Sequence, residues 1–163
     1  MALDNRDSMA DERVSGHIED ILGSVSGAVV ADEEFLRTVL TGVAAKGHIL
    51  LEDVPGTGKT LAARSFARSM GLSFNRIQFT PDLLPSDITG SHIYNERSNE
   101  FEFRQGPVFA NIVLADEINR APPKTQAALL EAMGEKQVTA DNETRDLPET
   151  FFVIATQNPV EQE

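Results

Sequence analysis

The fold of this chain is decided by one stretch, Ile49-Leu50-Leu51-Glu52-Asp53-Val54-Pro55-Gly56-Thr57-Gly58-Lys59-Thr60. A short apolar run at its start predicts a strand, and the glycine-rich end runs directly into a helical pattern. Glycines let backbone N–H groups converge on an anion, and a helix amino terminus adds partial positive charge there. We therefore predict a phosphate-binding loop, in which Lys59 reaches the phosphates and the Thr60 hydroxyl binds Mg²⁺.

Short apolar runs alternate with helical patterns along the rest of the chain. The runs cover residues 49–51, 74–79, 112–115 and 151–155, and the helical patterns begin near residues 16, 32, 60 and 123. Near-continuous apolar runs are typical of parallel strands that are covered on both faces by helices. The sequence therefore predicts an α/β fold, a parallel sheet flanked by helices.

One segment interrupts this alternation. Residues 91–94 and 100–104 show period-two patterning, with Phe101 and Phe103 on one face and charged residues on the other. We predict a β-hairpin inserted before the third core strand. A plain surface hairpin without a functional role has the same pattern.

Polar residues follow the third and fourth apolar runs. Asp116 and Glu117 close the third run, and Asn158 follows the fourth. Ligands of open α/β sheets bind at the carboxyl ends of the strands. We expect Asp116 to hold Mg²⁺ through water, Glu117 to activate the attacking water, and Asn158 to contact the γ-phosphate or that water. The alternatives are a solvated strand end for the two carboxylates and a polar turn residue for Asn158.

Composition excludes several classes of protein. The 163 residues suit one domain, which we place at 16–163 after a polar, disordered tail at 1–15. With 26 acidic and 14 basic residues the net charge is −12, which disfavours nucleic acid and anionic lipid as partners. The sequence has no cysteine, which excludes disulfides and thiolate chemistry.

No targeting or membrane signal is present in the sequence. The first dozen residues lack the apolar core of a signal peptide, and no apolar run approaches about 18 residues. We therefore expect a cytoplasmic protein. His17, His48 and His92 show no ligand spacing, and we assign them no metal or catalytic role.

Taken together, these blocks resemble the MoxR family of AAA+ ATPases. The likeness extends through residues 47–60, 84–90, 101–104, 114–122 and 155–159. It implies ATP and Mg²⁺ as cofactors, with a Walker A loop at residues 56–60, a Walker B pair at Asp116 and Glu117, and a sensor-1 residue at Asn158. The implied nucleotide contacts are Pro55, Gly56, Thr57, Gly58, Lys59, Thr60 and Leu61, the implied metal ligands are Thr60 and Asp116, and the implied catalytic residues are Glu117, Lys59 and Asn158.

The resemblance also implies a biological role. Such ATPases form rings, often hexameric, and act in a chaperone-like way on protein clients, commonly with a von Willebrand A-domain partner. The predicted hairpin is similar to the helix-2 insert of the family, which faces substrates or the ring pore.

The chain departs from the family pattern in three places. Asp53 stands where glycine is usual, and Val29-Val30-Ala31-Asp32 replaces the common Val-Val-Gly-Gln near the adenine site. The sequence also stops before the arginine finger, the fifth strand, sensor 2 and the helical lid. From this we expect weak hydrolysis, and marginal stability or self-association through an open edge at residues 49–51.

Three functions follow from this reasoning. The leading one is a chaperone-like ATPase. The second is a nucleotide-binding switch or ring component that does not hydrolyse ATP. The third is a nucleic-acid motor, which shares the same phosphate machinery and which the net charge of −12 disfavours.

Overall fold

The computed structural model describes residues 33–52 and 58–158, together with Gly16, Asp20 and Gly23, which are helical. Several predicted features lie outside the described residues. They are the tail at 1–15, the apolar positions of the first predicted helix, residues 29–32, the loop residues 53–57 and residues 159–163.

Helices and strands alternate as the sequence predicted. In chain order the elements are α1 (Glu33–Ala44), β1 (Ile49–Glu52), α2 (Lys59–Ser69), β2 (Phe74–Gln78), α3 (Pro85–Thr89), β3 (Gly90–Asn95), β4 (Glu100–Gln105), β5 (Ile112–Asp116), a 3-10 helix (Ile118–Arg120), α4 (Pro123–Glu135), β6 (Gln137–Ala140), β7 (Glu143–Asp146) and β8 (Phe152–Gln157). None of the helices in the described part of the chain is long and apolar enough to cross a membrane.

The four predicted core strands form one parallel sheet in the order β1-β8-β5-β2. Side chains alternate between its faces. On β5, Ile112 and Leu114 pack with α1 and α2, whereas Val113 and Ala115 pack with α4 and the segment before it. The predicted parallel sheet between helices is therefore confirmed, and β5 and β8 are buried on both faces.

The two strands at the ends of this sheet are not covered on both faces, so that part of the prediction is wrong for them. Leu50 on β1 is 54% exposed. On β2, Arg76 and Gln78 are exposed while Ile77 between them is buried. Among the described residues, β1 and β2 each pair with one neighbouring strand and form the two edges of the sheet. Side chains on these edge strands are therefore less covered than those on β5 and β8.

The predicted inserted hairpin is present as β3 and β4, with Tyr94 opposite Phe101. Its outer part exposes aromatic surface, since Phe101 is 71% exposed and its ring contacts that of Tyr94. At its base, Gly90 and Gly106 bring the two strands unusually close. A Cβ atom on Gly106 would lie 2.2 Å from the carbonyl oxygen of Ile88 and 2.4 Å from the nitrogen of Gly90.

A second hairpin, formed by β6 and β7, was not predicted. Its two-residue turn is Asp141-Asn142, both with positive φ, which Asp and Asn tolerate better than most residues. This dipeptide was the available signal. The hairpin packs on the first one through the Arg145 guanidinium, 3.7 Å from the ring centroid of Phe103. Nδ1 of His92 and Oδ2 of Asp141 lie 2.7 Å apart.

His48 joins the sheet to α4. The Val153 backbone N–H donates to Nδ1 of His48 at 3.0 Å, so Nε2 carries the proton and donates to the Met133 carbonyl at 3.1 Å. Burial is the main cause that lowers the pKa of His48 below 6.5, opposed by the Met133 hydrogen bond. The neutral imidazole is thus the form that fits this position.

We predict that Gly106→Ala destabilises the fold by about 1–3 kcal/mol, because backbone atoms must move to admit the methyl group. Gly134→Ala is the matched control. Apart from the chain neighbours and the backbone of its own helix, α4, no atom lies within 4 Å of the added Cβ at position 134, so this change should stabilise by about 0.5–1 kcal/mol. Urea denaturation of both variants measures the difference, and equal midpoints would contradict the close approach at Gly106.

We also predict a pH dependence from His48. Its pKa is lower folded than unfolded, so its contribution to stability is complete above pH 6.5 and is lost as the pH falls through the folded pKa. His48→Gln keeps one donor and one acceptor without titrating, and should flatten the decline in unfolding free energy below pH 6.5. Between pH 7.5 and 8.5 the unfolding free energies of the two proteins should change with pH in parallel. Identical slopes on the acid side would refute the prediction.

Candidate functional site

The candidate site lies at the carboxyl edge of the parallel sheet. Because all four strands run in the same direction, the residues that follow them collect at this edge. Glu52 ends β1 and pairs in register with Gln157 of β8, whose side-chain amide donates to the Glu52 carboxylate at 2.7 Å. Asp116 ends β5 beside Gln78 of β2.

The glycine-rich loop is described only from Gly58 onward. The predicted contacts Pro55, Gly56 and Thr57, and the departure at Asp53, lie outside the described residues. Gly58 has φ +75° and immediately precedes α2, a conformation that suits glycine.

The described remainder of the loop opens a helix. Lys59, Thr60 and Leu61 form the first turn of α2, where backbone N–H groups lack partners within the helix and attract anions. Burial holds the pKa of Lys59 below its ordinary value, and the charge of Asp116 acts in the opposite direction. The carboxylate of Asp116, at the end of β5, therefore favours the charged form of Lys59.

Asp116 is held from both sides. The Thr156 hydroxyl of β8 donates to its Oδ1 at 2.5 Å, and the Arg76 guanidinium of β2 donates to its Oδ2 at 2.7 Å. The carboxylate is largely shielded, with 23% of the side chain exposed. Its two neighbours on adjacent strands therefore fix its orientation.

Glu117 leaves the strand in a left-handed conformation, with φ 57° and ψ 50°. Such a conformation costs a non-glycine residue about 1–2 kcal/mol and is found preferentially at functional positions. Its backbone N–H donates to the Thr156 hydroxyl at 3.0 Å, and its Oε2 accepts from Gln78 at 3.0 Å and Arg120 at 2.8 Å. One threonine hydroxyl thus joins both carboxylate residues.

Asn158 follows β8 directly, and its carbonyl oxygen accepts a hydrogen bond from the Asn119 side chain at 3.4 Å. This contact places it beside the 3-10 helix that follows Glu117. The structure therefore brings the described predicted residues, from Gly58 to Leu61, Asp116, Glu117 and Asn158, to one edge of the sheet.

The residues present suit a magnesium ion. Mg²⁺ prefers oxygen ligands, keeps several waters and is commonly held by one or two protein groups together with phosphate oxygens. The Thr60 hydroxyl and the Asp116 carboxylate are donors of this kind. The described residues contain no group of three or more His, Asp or Glu side chains that forms a complete metal cage.

Three residues at the site were not predicted from the sequence. Thr156 stands in the polar segment after the fourth run, and Arg76 and Gln78 are polar positions within the second. Two polar residues at alternate positions of a core strand were the available signal, because they must face a polar environment. Which carboxylates they meet depends on the order of the strands, and one sequence does not give that order.

These features define an AAA+ P-loop ATPase fold. Residues 48–163 match a family model described as ATPase family associated with various cellular activities (AAA). The chain belongs to the MoxR family of AAA+ ATPases. It is 50% identical over 146 residues to Chaperone MoxR1 of Mycobacterium tuberculosis and 33% identical over 144 residues to the MoxR protein of Methylorubrum extorquens.

Two further comparisons give identities in the same range as that of MoxR1 or above it. The chain is 58% identical over 139 residues to YeaC of Bacillus subtilis. A crystal structure of a candidate ATPase from Cytophaga hutchinsonii superposes with a TM-score of 0.82 at 48% identity, covering 96% of this chain and 49% of that one. The matches cover 85%, 90% and 85% of this chain for YeaC, MoxR1 and MoxR, and 43%, 39% and 41% of those relatives. The chain therefore spans less than half the length of the curated relatives it matches.

We predict that Thr156→Val loosens the site, because the isosteric side chain can neither donate to Asp116 nor accept from Glu117. Leaving this part-buried backbone N–H without its partner costs about 1 kcal/mol. Thr156→Ser keeps the hydroxyl and should lose less unfolding free energy than Thr156→Val. Unfolding free energies from urea titration compare the two, and a serine variant as unstable as the valine variant would argue against the hydroxyl contacts.

Proposed function

We propose that the chain binds ATP with Mg²⁺ at the carboxyl edge of its sheet and hydrolyses it to ADP and phosphate. Pro55, Gly56, Thr57, Gly58, Lys59, Thr60 and Leu61 surround the phosphates in this proposal. The observation that carries it is the joining of Asp116 and Glu117 by the Thr156 hydroxyl, at the edge where α2 begins.

Each residue has a separate role in the proposed reaction. Thr60 and, through water, Asp116 would hold Mg²⁺, and the ion would supply positive charge against the phosphates. Lys59 contacts the same phosphates as a cation. Glu117 accepts a proton from the attacking water as a general base. Asn158 orients that water or the γ-phosphate.

The proposed role in the cell is chaperone-like. The Mycobacterium relative is named a chaperone, and its identity of 50% over 90% of this chain supports a similar use of ATP on a protein client. We further propose that the full-length protein forms a homo-oligomeric ring, hexameric as in many AAA+ proteins, in the cytoplasm. A von Willebrand A-domain protein is the proposed partner type.

A second candidate function is a nucleotide-binding switch without hydrolysis. The observation in its favour is that Glu117 already accepts hydrogen bonds from Arg120 and Gln78, and an occupied carboxylate is a poorer general base. Tight ATP binding by the unmodified chain, without phosphate release, would support the switch.

We predict that Lys59→Ala weakens binding of a fluorescent ATP analogue in Mg²⁺ by about 10- to 100-fold, through loss of a charged phosphate contact. Lys124→Ala is the matched control, since Lys124 is an exposed lysine in the first turn of α4. Its affinity should equal that of the unmodified chain. Equal weakening in both variants would indicate that only net charge matters.

We predict that Glu117→Gln preserves nucleotide affinity and lowers phosphate release at least about 100-fold, because glutamine cannot accept the water proton. Release is measured in the same samples as binding. Unchanged release would remove Glu117 from the proposed mechanism.

A further inference from the structure

Arg76 lies at the candidate site, although neither the sequence motifs nor the proposed reaction gives it a role. It occupies the middle of β2, in register with Leu114 of β5 and two residues before the strand ends. Ile77 points into the core with Val113 and Ala115, so Arg76 and Gln78 point to the opposite face, which α2 covers.

One nitrogen of Arg76 makes two hydrogen bonds. Nη2 donates to Oδ2 of Asp116 and to Oε1 of Gln78, both at 2.7 Å. The second bond sets the orientation of the Gln78 amide. Because the amide oxygen accepts from Arg76, the amide nitrogen is directed to Glu117, to which it donates at 3.0 Å.

These contacts close a ring of hydrogen bonds. From Asp116 the ring passes through Arg76 and Gln78 to the Glu117 carboxylate, and it returns from the Glu117 backbone N–H through the Thr156 hydroxyl to Asp116. Arg76 is its only cationic member among the described residues, and it is the group that joins the two carboxylates on the β2 side.

The order of the strands indicates that Arg76 supports Asp116 rather than blocking it. β8 lies between β1 and β5, and its Thr156 contacts Oδ1, so Oδ1 lies on the β1 side of Asp116. Arg76 approaches from the opposite strand, β2, and contacts Oδ2. A carboxylate oxygen can accept more than one hydrogen bond, so Oδ1 retains capacity for a water bound to metal.

The Arg76–Asp116 ion pair is too exposed to contribute much to the stability of the fold. The side chains of Arg76 and Asp116 are 44% and 23% exposed, and pairs near the surface contribute little to folding. Groups that hydrogen-bond a metal ligand from behind affect metal affinity more strongly, typically by about 10- to 100-fold when removed.

We propose that Arg76 is a positioning residue that holds Asp116 for Mg²⁺. This role rests on the proposed function of the site. It assigns to Arg76 the dependence of nucleotide binding on Mg²⁺, which passes through Asp116.

The test measures the affinity of the full chain for a fluorescent ATP analogue over a series of Mg²⁺ concentrations and in EDTA. Mg²⁺ should raise the affinity for the analogue, and for Arg76→Met we expect the Mg²⁺ concentration that gives half of this increase to rise about 10-fold. Affinity in EDTA should stay unchanged within about 2-fold. Arg76→Lys keeps a cation near Asp116 and should recover most of the Mg²⁺ response. Arg64→Met is the matched control, because Arg64 lies over Phe74 on the same face and should leave the Mg²⁺ response unchanged.

A second variant separates the contact of Arg76 with Asp116 from its contact with Gln78. Gln78→Met removes the donor to Glu117 but leaves Arg76 on Asp116, so the Mg²⁺ response should stay normal. If Arg76→Met fails to fold, Arg76→Gln takes its place with the same expectation. A normal Mg²⁺ response in a folded Arg76→Met chain would overturn the role of Arg76 alone, and so would a tightened response, which indicates charge competition. Absence of nucleotide binding by the unmodified chain would overturn the proposed function, and this role with it.

Discussion

The parallel pairing of β5 with β8 is the constraint on which the rest of the structure depends. Both strands are buried on both faces, so any change in their register would move apolar side chains to the wrong side. The register aligns Ala115 with Ala155, and the next residue of each strand is polar. Asp116 and Thr156 therefore meet where the core ends, and the hydrophobic packing fixes the geometry of the polar site.

Apolar runs carried most of the information that the sequence contains about this fold. The central strands, the helices between them and the inserted hairpin followed from periodicity, because burial imposes a pattern on each element separately. Hairpin β6–β7 was missed because its strands are mostly polar and half of their side chains are exposed. Its position depends on Arg145 and Asp141 contacting the other hairpin, a long-range arrangement that local pattern does not encode.

At the candidate site, too, some residues could be predicted from the sequence and others could not. Asp116 and Glu117 could be predicted because two carboxylates at the end of an apolar strand are uncommon and need a reason. The groups that hold them could not be predicted, since Arg76, Gln78 and Thr156 belong to strands that are neighbours in space and distant in sequence. Strand order, which decides these contacts, arises from the packing of helices on both faces of the sheet.

Magnitudes bear on the choice between an ATPase and a switch. The Arg120 contact to Glu117 is partly exposed and is worth about 1 kcal/mol, and the Gln78 contact is of similar size. Freeing the carboxylate from both therefore costs about 2 kcal/mol, or roughly a 30-fold reduction in rate. Enzymes accelerate their reactions by at least about 10⁶-fold. Contacts of this size slow the proposed hydrolysis without preventing it, so the occupied Glu117 is compatible with a regulated ATPase and does not by itself require a switch.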